Sequence, residues 1–269
     1  MSRRLIAPSV ALLAALVLVA VAFTGDDSPV LVDGSEQERA TADEPSPEDP
    51  SPDAATPADD APGTARMAAL RVEPDAGLSI GAADAPLVMV TFESFGCLWC
   101  GVFHRETLPV VLEEWVDTGL LRIETRLLPY EPRAVPGARI AAAAAQQDRY
   151  WELAEHLYPF IAGTDEPPMG RELTPDELAA YQVRQSEEAL LRQAELAADE
   201  IGLDMDRLRA DLDDPATAAT VERDQQLAWS LGFTGTPAVV VNGVPQGGYT
   251  GPERFTAFLQ AVLDASAQD

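Results

Sequence analysis

The sequence predicts an α/β fold in which a βαβ unit is joined, through a long helical segment, to a β-hairpin and a final helix. Three observations lead to this prediction. Short apolar runs of strand length lie at both ends of the region that can fold. Helical patterns occupy residues 136–231 between them. The pair Asn242-Gly243 follows the last apolar run and is a strong signal for a hairpin turn.

The first unit combines two strands and one helix. Residues 86–94, PLVMVTFES, form an apolar run that is long enough for a strand and too short for a helix. Residues 97–119 favour a helix, which Pro109 is expected to kink because proline lacks an N–H. Residues 120–130, LLRIETRLLPY, predict the second strand. Strand, helix and strand at this spacing predict a parallel pair.

The helical segment and the C-terminal unit complete the predicted fold. In the stretch TPDELAAY, Thr174 and Glu177 predict a capping box. After the hairpin, TGPERF predicts that the last helix begins with a second capping box, from Thr250 to Glu253. The two β-rich units can meet only if the helical segment, residues 135–231, leaves and re-enters one sheet.

The charge and the N-terminus limit where this chain can act. Its formal net charge of −27 argues against nucleic-acid binding, which requires clustered basic residues. Leu5 to Phe23 contain no charged residue and follow two arginines, so residues 1–23 predict a membrane anchor or a signal segment. Cleavage at the small residues Ala20–Ala22 is the alternative to an uncleaved anchor. Either way, the remainder is expected outside the cytoplasm, where disulfides persist.

Residues 24–66 are predicted to be a disordered linker. The stretch DEPSPEDPSPDAATPADDAP is rich in proline and acidic residues and has too little apolar surface to form a core. Such a linker would hold the folded domain away from the membrane. The folded domain is expected to comprise residues 67–269.

Cys97 and Cys100 are the two cysteines of the chain. A pair at this spacing can be a redox couple, part of a metal site, or a structural disulfide. A zinc site would need His104 and His156, whose separation does not match the usual ligand spacing, so both are expected to be packing or surface residues. A structural disulfide would close a loop too short to stabilise the fold substantially.

The position of the pair favours the redox interpretation. Cys97 lies where a predicted strand meets a predicted helix, so the unpaired N–H groups and the positive dipole end of the helix would stabilise its thiolate. Cys97 is accordingly the expected nucleophile, and Cys100, one turn later, would attack a mixed disulfide. A second motif, GFTGTP, places Pro237 at the start of a strand. The Thr236-Pro237 bond is a candidate cis peptide, with a trans bond as the alternative.

Three stretches together resemble the DsbA-like branch of the thioredoxin superfamily, in the membrane-tethered or secreted form found in actinobacteria. They are IGAADAPLVMVTFESFGCLWCGVFHRETLP, ARIAAAAAQQDRYWELAEHLY and LGFTGTPAVVVNG. The resemblance extends over residues 78–265 and implies a thioredoxin fold with a large helical insertion. It implies that Cys97 attacks and Cys100 resolves. Pro237 would be the cis-proline facing the disulfide, and Thr236 would present its backbone to an extended client segment.

The activity that this resemblance implies is thiol–disulfide oxidoreduction on exported proteins. No cofactor is needed, because the cysteine pair is the redox centre, and the family implies a quinone-coupled membrane partner that restores the disulfide. Many members have proline and then histidine, tyrosine or another residue between the cysteines, whereas this chain has Leu98-Trp99. Without a histidine that donates to the Cys97 thiolate, the chain is expected to be a weaker oxidant. Trp99 is expected to contact unfolded clients.

Two other functions fit the same motifs. The chain could be a thiol reductant for one dedicated partner, or a binding module whose cysteines take no part in chemistry. The cysteine pair and Thr236-Pro237 together argue against the binding module. The direction of electron flow stays open, because an oxidant and a reductant share every motif.

Overall fold

The computed structural model describes residues 61–70, 74–75, 77–163 and 171–267. The predicted anchor and the predicted linker up to residue 60 lie outside this part. Helix α1, Ala61–Ala68, crosses the predicted boundary between linker and domain, so regular structure begins before Met67. None of the described helices is long and apolar enough to cross a membrane.

Five strands in the described part of the chain form one mixed sheet, in the order β1-β3-β2-β4-β5. Their bounds are Ser79–Ile80 (β1), Leu87–Glu93 (β2), Leu121–Leu127 (β3), Ala238–Val241 (β4) and Val244–Gly247 (β5). β2 and β3 are parallel, which confirms the predicted βαβ unit, and the other neighbouring pairs are antiparallel. Because β4 pairs with β2, the helical segment leaves and re-enters one sheet.

The stretch after β2 is helical but irregular. Helix α2, Leu98–Val102, and helix α3, Leu108–Val111, are separated by the π-helical turn Phe103–Thr107, and a second π-helical turn, Leu112–Val116, follows. Pro109 lies in the first turn of α3, where a missing N–H is tolerated. In place of the single predicted kink, the helical pitch changes on both sides of this proline.

Seven further helices follow within the described residues. After a 3-10 turn at Pro132–Ala134 they are Val135–Ala145 (α4), Tyr150–Ala162 (α5), Pro175–Arg184 (α6), Glu187–Ile201 (α7), Met205–Asp211 (α8), Pro215–Ser230 (α9) and Pro252–Ser266 (α10). The capping box of Thr174 and Glu177 is confirmed at the start of α6. The second predicted box is wrong. Pro252 takes the first helical position of α10, so Gly251 is the N-cap and Thr250 lies one residue too early to cap.

The sheet separates two apolar clusters. Because side chains of a strand alternate between faces, Leu87 and Met89 of β2 point to one face, and Val90 and Phe92 point to the other. The stretch Phe103–Val116 and helix α10 cover the first face, while α9 and α1 cover the second. A third cluster fills the helical insertion, where buried alanines of α4 allow close packing, and this cluster includes both cysteines.

Gly101 allows α2 to pack closely against α5. A Cβ added there would lie 2.8 Å from the Tyr158 carbonyl oxygen and 2.9 Å from the Ala162 Cβ. We expect Gly101→Ala to lower the free energy of unfolding by about 1–3 kcal/mol, because the α5 backbone cannot easily move aside. Urea unfolding followed by circular dichroism measures this change. Gly235→Ala is the control, since a Cβ there meets no atom within 4 Å; an equal loss in both variants would contradict the prediction.

Candidate active site

The backbone between β2 and α2 fixes Cys97 at the start of the helix. The Cys97 N–H donates to the Ser94 carbonyl at 3.0 Å, and the Gly96 N–H donates to the Ser94 hydroxyl at 3.0 Å. Cys97 is the N-cap of α2, and its sulfur accepts from the Cys100 N–H at 3.4 Å. The helix therefore directs first-turn N–H groups at this sulfur.

A distant loop completes the surroundings of Cys97. The Thr236–Pro237 peptide is cis, and the Cys97 thiol donates to the Thr236 carbonyl oxygen at 3.1 Å. The antiparallel pairing of β2 with β4, in which Phe92 lies opposite Ala238, places this loop beside the end of β2. Cys97 and Thr236 are thus in contact, although they are 139 residues apart in the chain.

The two thiols differ in acidity. The pKa of Cys97 is lowered, first by a hydrogen bond with the Cys100 side chain and further by the Thr236 side chain and by backbone N–H groups, while burial opposes this. The pKa of Cys100 is raised well above its ordinary value, first by burial, then by its interactions with Cys97 and by the charge of Glu93. Of the two thiols, Cys97 is therefore the one that ionises more readily.

A buried carboxylate and a histidine lie behind the cysteine pair. Glu93 is 1% exposed and accepts a hydrogen bond from the Thr91 hydroxyl at 2.9 Å. Its other oxygen pairs with Nε2 of His104, whose ring stacks on Tyr158 with centroids 3.8 Å apart. His104, expected as a packing or surface residue, is a packed residue with a charged partner. The sequence analysis missed Glu93; a glutamate closing an apolar strand, with a histidine four residues after Cys100, was the available signal.

Leu98 and Trp99, the residues between the cysteines, are both half-buried. The Trp99 ring stacks on Tyr249, with centroids 5.7 Å apart and planes 19° apart. The Tyr249 hydroxyl donates to Glu106 at 2.6 Å, and burial together with this carboxylate raises the pKa of Tyr249 to about 12. Trp99 is therefore held against the loop between β5 and α10, and part of its surface stays accessible.

Tyr181 of α6 and Gln185, the residue directly after this helix, reach the redox loop, Ser94–Cys97. Tyr181 and Gln185 both donate to the Gly96 carbonyl oxygen, at 3.0 and 3.4 Å. The sequence analysis missed both residues, because nothing local marks contacts between positions 85 and 89 residues apart. Their spacing of one helical turn was the sole local signal that they share a face.

The structure also shows how the residues of the alternative zinc site are arranged. The described residues hold no group of three or more histidine, cysteine, aspartate or glutamate side chains placed to bind a metal. His104 is paired with Glu93, and His156 lies half-buried on α5. The two histidines and the two cysteines therefore do not converge.

The fold and the cysteine–proline site define a class of protein. Residues 73–261 match the family model described as Thioredoxin, and the chain belongs to this family. The mixed sheet with a long helical insertion between its two parts is similar in fold to solved DsbA structures.

Solved structures show the same fold. Alpha-DsbA1 of Wolbachia pipientis has a TM-score of 0.56 and 22% sequence identity, and the alignment covers 71% of this chain and 92% of that chain. Oxidised BdbD of Bacillus subtilis has a TM-score of 0.54 and 19% identity, with 71% of this chain and 96% of that chain covered.

The proteins that are similar in sequence differ from one another in how much of their length this chain covers. Disulfide bond formation protein D of Bacillus subtilis is 24% identical, over 61% of this chain and 66% of its own length. Na+/H+ antiporter NhaA 3 of Salinispora tropica is 31% identical over 73% of this chain, but 26% of the antiporter is covered. The chain thus spans about a quarter of the antiporters that it matches, and the likeness concerns one segment of those proteins.

Replacing Cys100 tests the interaction that distinguishes the two thiols. We expect Cys100→Ala to raise the pKa of Cys97, because the largest stabilising hydrogen bond to the thiolate is lost. Less thiolate then forms at neutral pH, and alkylation of Cys97 should slow about fivefold for a bond worth about 1 kcal/mol. Ultraviolet thiolate absorbance against pH and the rate of iodoacetamide alkylation are the measurements.

Cys97→Ala is the control for this prediction. It leaves Cys100, whose pKa is raised, and should show little thiolate near neutral pH. In the wild-type chain, thiolate reactivity should be present above the lowered pKa of Cys97 and disappear as the pH falls below it. A Cys100→Ala variant that titrates at or below the wild-type Cys97 would contradict the assigned cause.

Proposed function

We propose that this chain is a thiol–disulfide oxidoreductase that forms or exchanges disulfides in exported proteins through Cys97 and Cys100. The proposal rests on one observation: two adjacent thiols, one with a lowered pKa and one with a raised pKa, meet a cis-proline loop at the start of a helix. A purely structural pair needs no such difference. The DsbA-like fold, and a relative named as a disulfide bond formation protein, support the same activity.

In the oxidising direction the cysteine pair starts as a disulfide. A client thiolate attacks the Cys97 sulfur, the Cys97–Cys100 bond breaks, and Cys100 leaves as a thiolate that takes up a proton because its pKa is high. A second client thiolate attacks the client sulfur of the mixed disulfide. Cys97 then leaves as a thiolate that its surroundings stabilise. Two electrons pass from the client thiols to the cysteine pair, and the client gains one disulfide.

In the reverse direction the Cys97 thiolate attacks a client disulfide, and Cys100 resolves the mixed disulfide after it loses its proton. The negative charge of Cys97 and its hydrogen bond are among the causes that raise the pKa of Cys100. Both disappear when the Cys97 sulfur enters the mixed disulfide. Cys100 therefore becomes easier to ionise at the step that needs its thiolate, while burial and Glu93 keep it protonated before that step.

The client segment is proposed to bind beside the cis-proline loop. In the reduced protein the Thr236 carbonyl oxygen accepts a hydrogen bond from the Cys97 thiol. A mixed disulfide has no thiol hydrogen at Cys97, so this carbonyl is then free to accept from a client N–H. Half-exposed Thr236 lies just before β4, where an extended client segment would add one backbone contact to the edge of the site.

The chain is further proposed to work outside the cytoplasm. Residues 5–23 would form a single-pass anchor, and the domain would be secreted if that segment is cleaved. No cofactor is required, since the cysteine pair itself holds the two electrons. A quinone-coupled membrane partner would restore the disulfide after each oxidation, and the clients would be exported proteins with thiols or disulfides.

The oxidising strength is proposed to depend on Leu98 and Trp99. No histidine lies between the cysteines to stabilise the Cys97 thiolate, so the reduced form is less favoured. We expect a reduction potential more negative than about −120 mV, the value for a strongly oxidising DsbA. Equilibration with glutathione measures the potential, and a value near about −120 mV would contradict this expectation.

Trp99 is proposed to contact client side chains with its accessible surface. We expect Trp99→Ala to raise the KM for a reduced client by about fivefold or more, because an aromatic contact worth about 1–3 kcal/mol is lost. The potential should change less than client binding. Trp229→Ala is the matched control, since Trp229 is 59% exposed on α9 and is far from the cysteines in the chain. A larger effect on the potential than on client binding would refute this role.

Two assays on the full chain test the proposed function. Oxidative refolding of a reduced client detects an oxidant, and insulin reduction detects a reductant. Wild-type activity in the first assay and loss in Cys97→Ser would support the proposal. Activity in insulin reduction alone would instead favour a dedicated reductant. Inactivity in both assays, with unchanged biological activity in Cys97→Ser, would establish a binding module and reject the proposed enzyme.

A further inference from the structure

Helix α6, in the helical insertion, makes a direct contact with the redox loop. The Tyr181 hydroxyl and the Gln185 amide donate to the same acceptor, the Gly96 carbonyl oxygen, at 3.0 and 3.4 Å. Both side chains are buried, with 6% and 3% of their surface exposed. Tyr181 is the one buried residue of α6, a helix that the structure describes throughout. The inward face of α6 is thus directed at the redox loop.

We propose that Tyr181, assisted by Gln185, is a positioning residue for the redox pair, an inference that rests on the proposed function. The peptide between Gly96 and Cys97 is planar, so its carbonyl and its N–H move together. Tyr181 and Gln185 hold the carbonyl, and the Ser94 carbonyl accepts the N–H at 3.0 Å. The peptide that leads into Cys97 is therefore fixed on both sides, and the sulfur keeps its place against the first turn of α2.

The pKa of Tyr181 also depends on the peptide that follows Cys97. Burial raises the pKa of Tyr181, and an interaction with the Leu98 N–H partly offsets that rise. The N–H groups of Trp99 and Cys100 remain directed at the sulfur, where each helps to lower the pKa of Cys97.

Fixing the peptide before Cys97 stabilises the reduced protein more than the disulfide form. A thiolate gains from nearby N–H groups while they are correctly placed, whereas an uncharged disulfide sulfur gains little from them. A Gly96 carbonyl without a donor would cost both redox states a similar amount, so that cost cancels in the redox equilibrium. Loss of positioning therefore weakens the thiolate, favours the disulfide, and makes the protein a weaker oxidant.

Tyr181→Phe tests the proposal, because it removes the hydroxyl and keeps the ring. We expect the equilibrium constant with glutathione to shift about threefold to tenfold toward the protein disulfide. Tyr130→Phe is the matched control: burial and then the charge of Cys97 raise the pKa of Tyr130 as well. Among the described residues, no hydrogen bond joins the Tyr130 hydroxyl to the redox loop, so this variant should stay within about twofold of wild type.

Three outcomes would overturn the proposal: a shift below about twofold in a natively folded Tyr181→Phe, a shift toward the dithiol, or an equal shift in Tyr130→Phe. If Tyr181→Phe does not fold, Gln185→Leu replaces it, with an expected shift of about threefold toward the disulfide and the same criteria. Glutathione exchange needs no client. A wild-type chain that is inactive on clients would therefore reject the proposed function and leave the effect of Tyr181 on the redox equilibrium measurable.

Discussion

The hydrogen bond between the Cys97 sulfur and the Thr236 carbonyl is the contact on which the site depends. It exists because β4 pairs antiparallel with β2, so that the end of one strand lies beside the start of the other. The helical insertion between β3 and β4 packs around its own alanine-rich core and does not interrupt that pairing. The sheet therefore sets where the two halves of the site meet, and the insertion adds contacts from a third direction.

Burial alone would make both thiols poor acids. Cys97 and Cys100 are 4% and 0% exposed, so both lose the solvation that a thiolate prefers. The hydrogen bonds that converge on Cys97 reverse this effect for one sulfur, and the resulting negative charge strengthens it for the other. The asymmetry of the pair thus follows mainly from the hydrogen bond between the two thiols and from the burial of Cys100, and the N–H groups of the helix start and Glu93 add to it.

The main features of the fold could be predicted from sequence because each depends on a pattern of a few consecutive residues. The apolar run of β2, the Asn242-Gly243 turn and the cysteine spacing each lie within a few consecutive residues, and the parallel β2–β3 pair and the capping box at Thr174 follow from them. The start of α10 was misplaced by one residue, because threonine and glutamate matched the capping pattern while Pro252 fixed the first helical position.

The supporting side chains of the site could not be predicted in the same way. Glu93 with His104, and Tyr181 with Gly96, are pairs whose partners lie on different elements, and no local period links them. Trp99 illustrates the same limit: the sequence indicates an aromatic residue between the cysteines, but its stacking on Tyr249 depends on how β5 and α10 are joined. Such contacts are properties of the assembled fold.

The close approach of α1 to the β-hairpin turn determines which end of β4 this helix covers. Gly243 has no side chain, and a Cβ there would lie 2.8 Å from the Ala68 Cα, so α1 rests directly on the turn. The turn is at one end of β4, and the proline loop is at the other. Helix α1 therefore occupies the end of β4 that lies away from the proline loop. A polypeptide that reaches Cys97 beside the proline loop therefore does not have to displace α1.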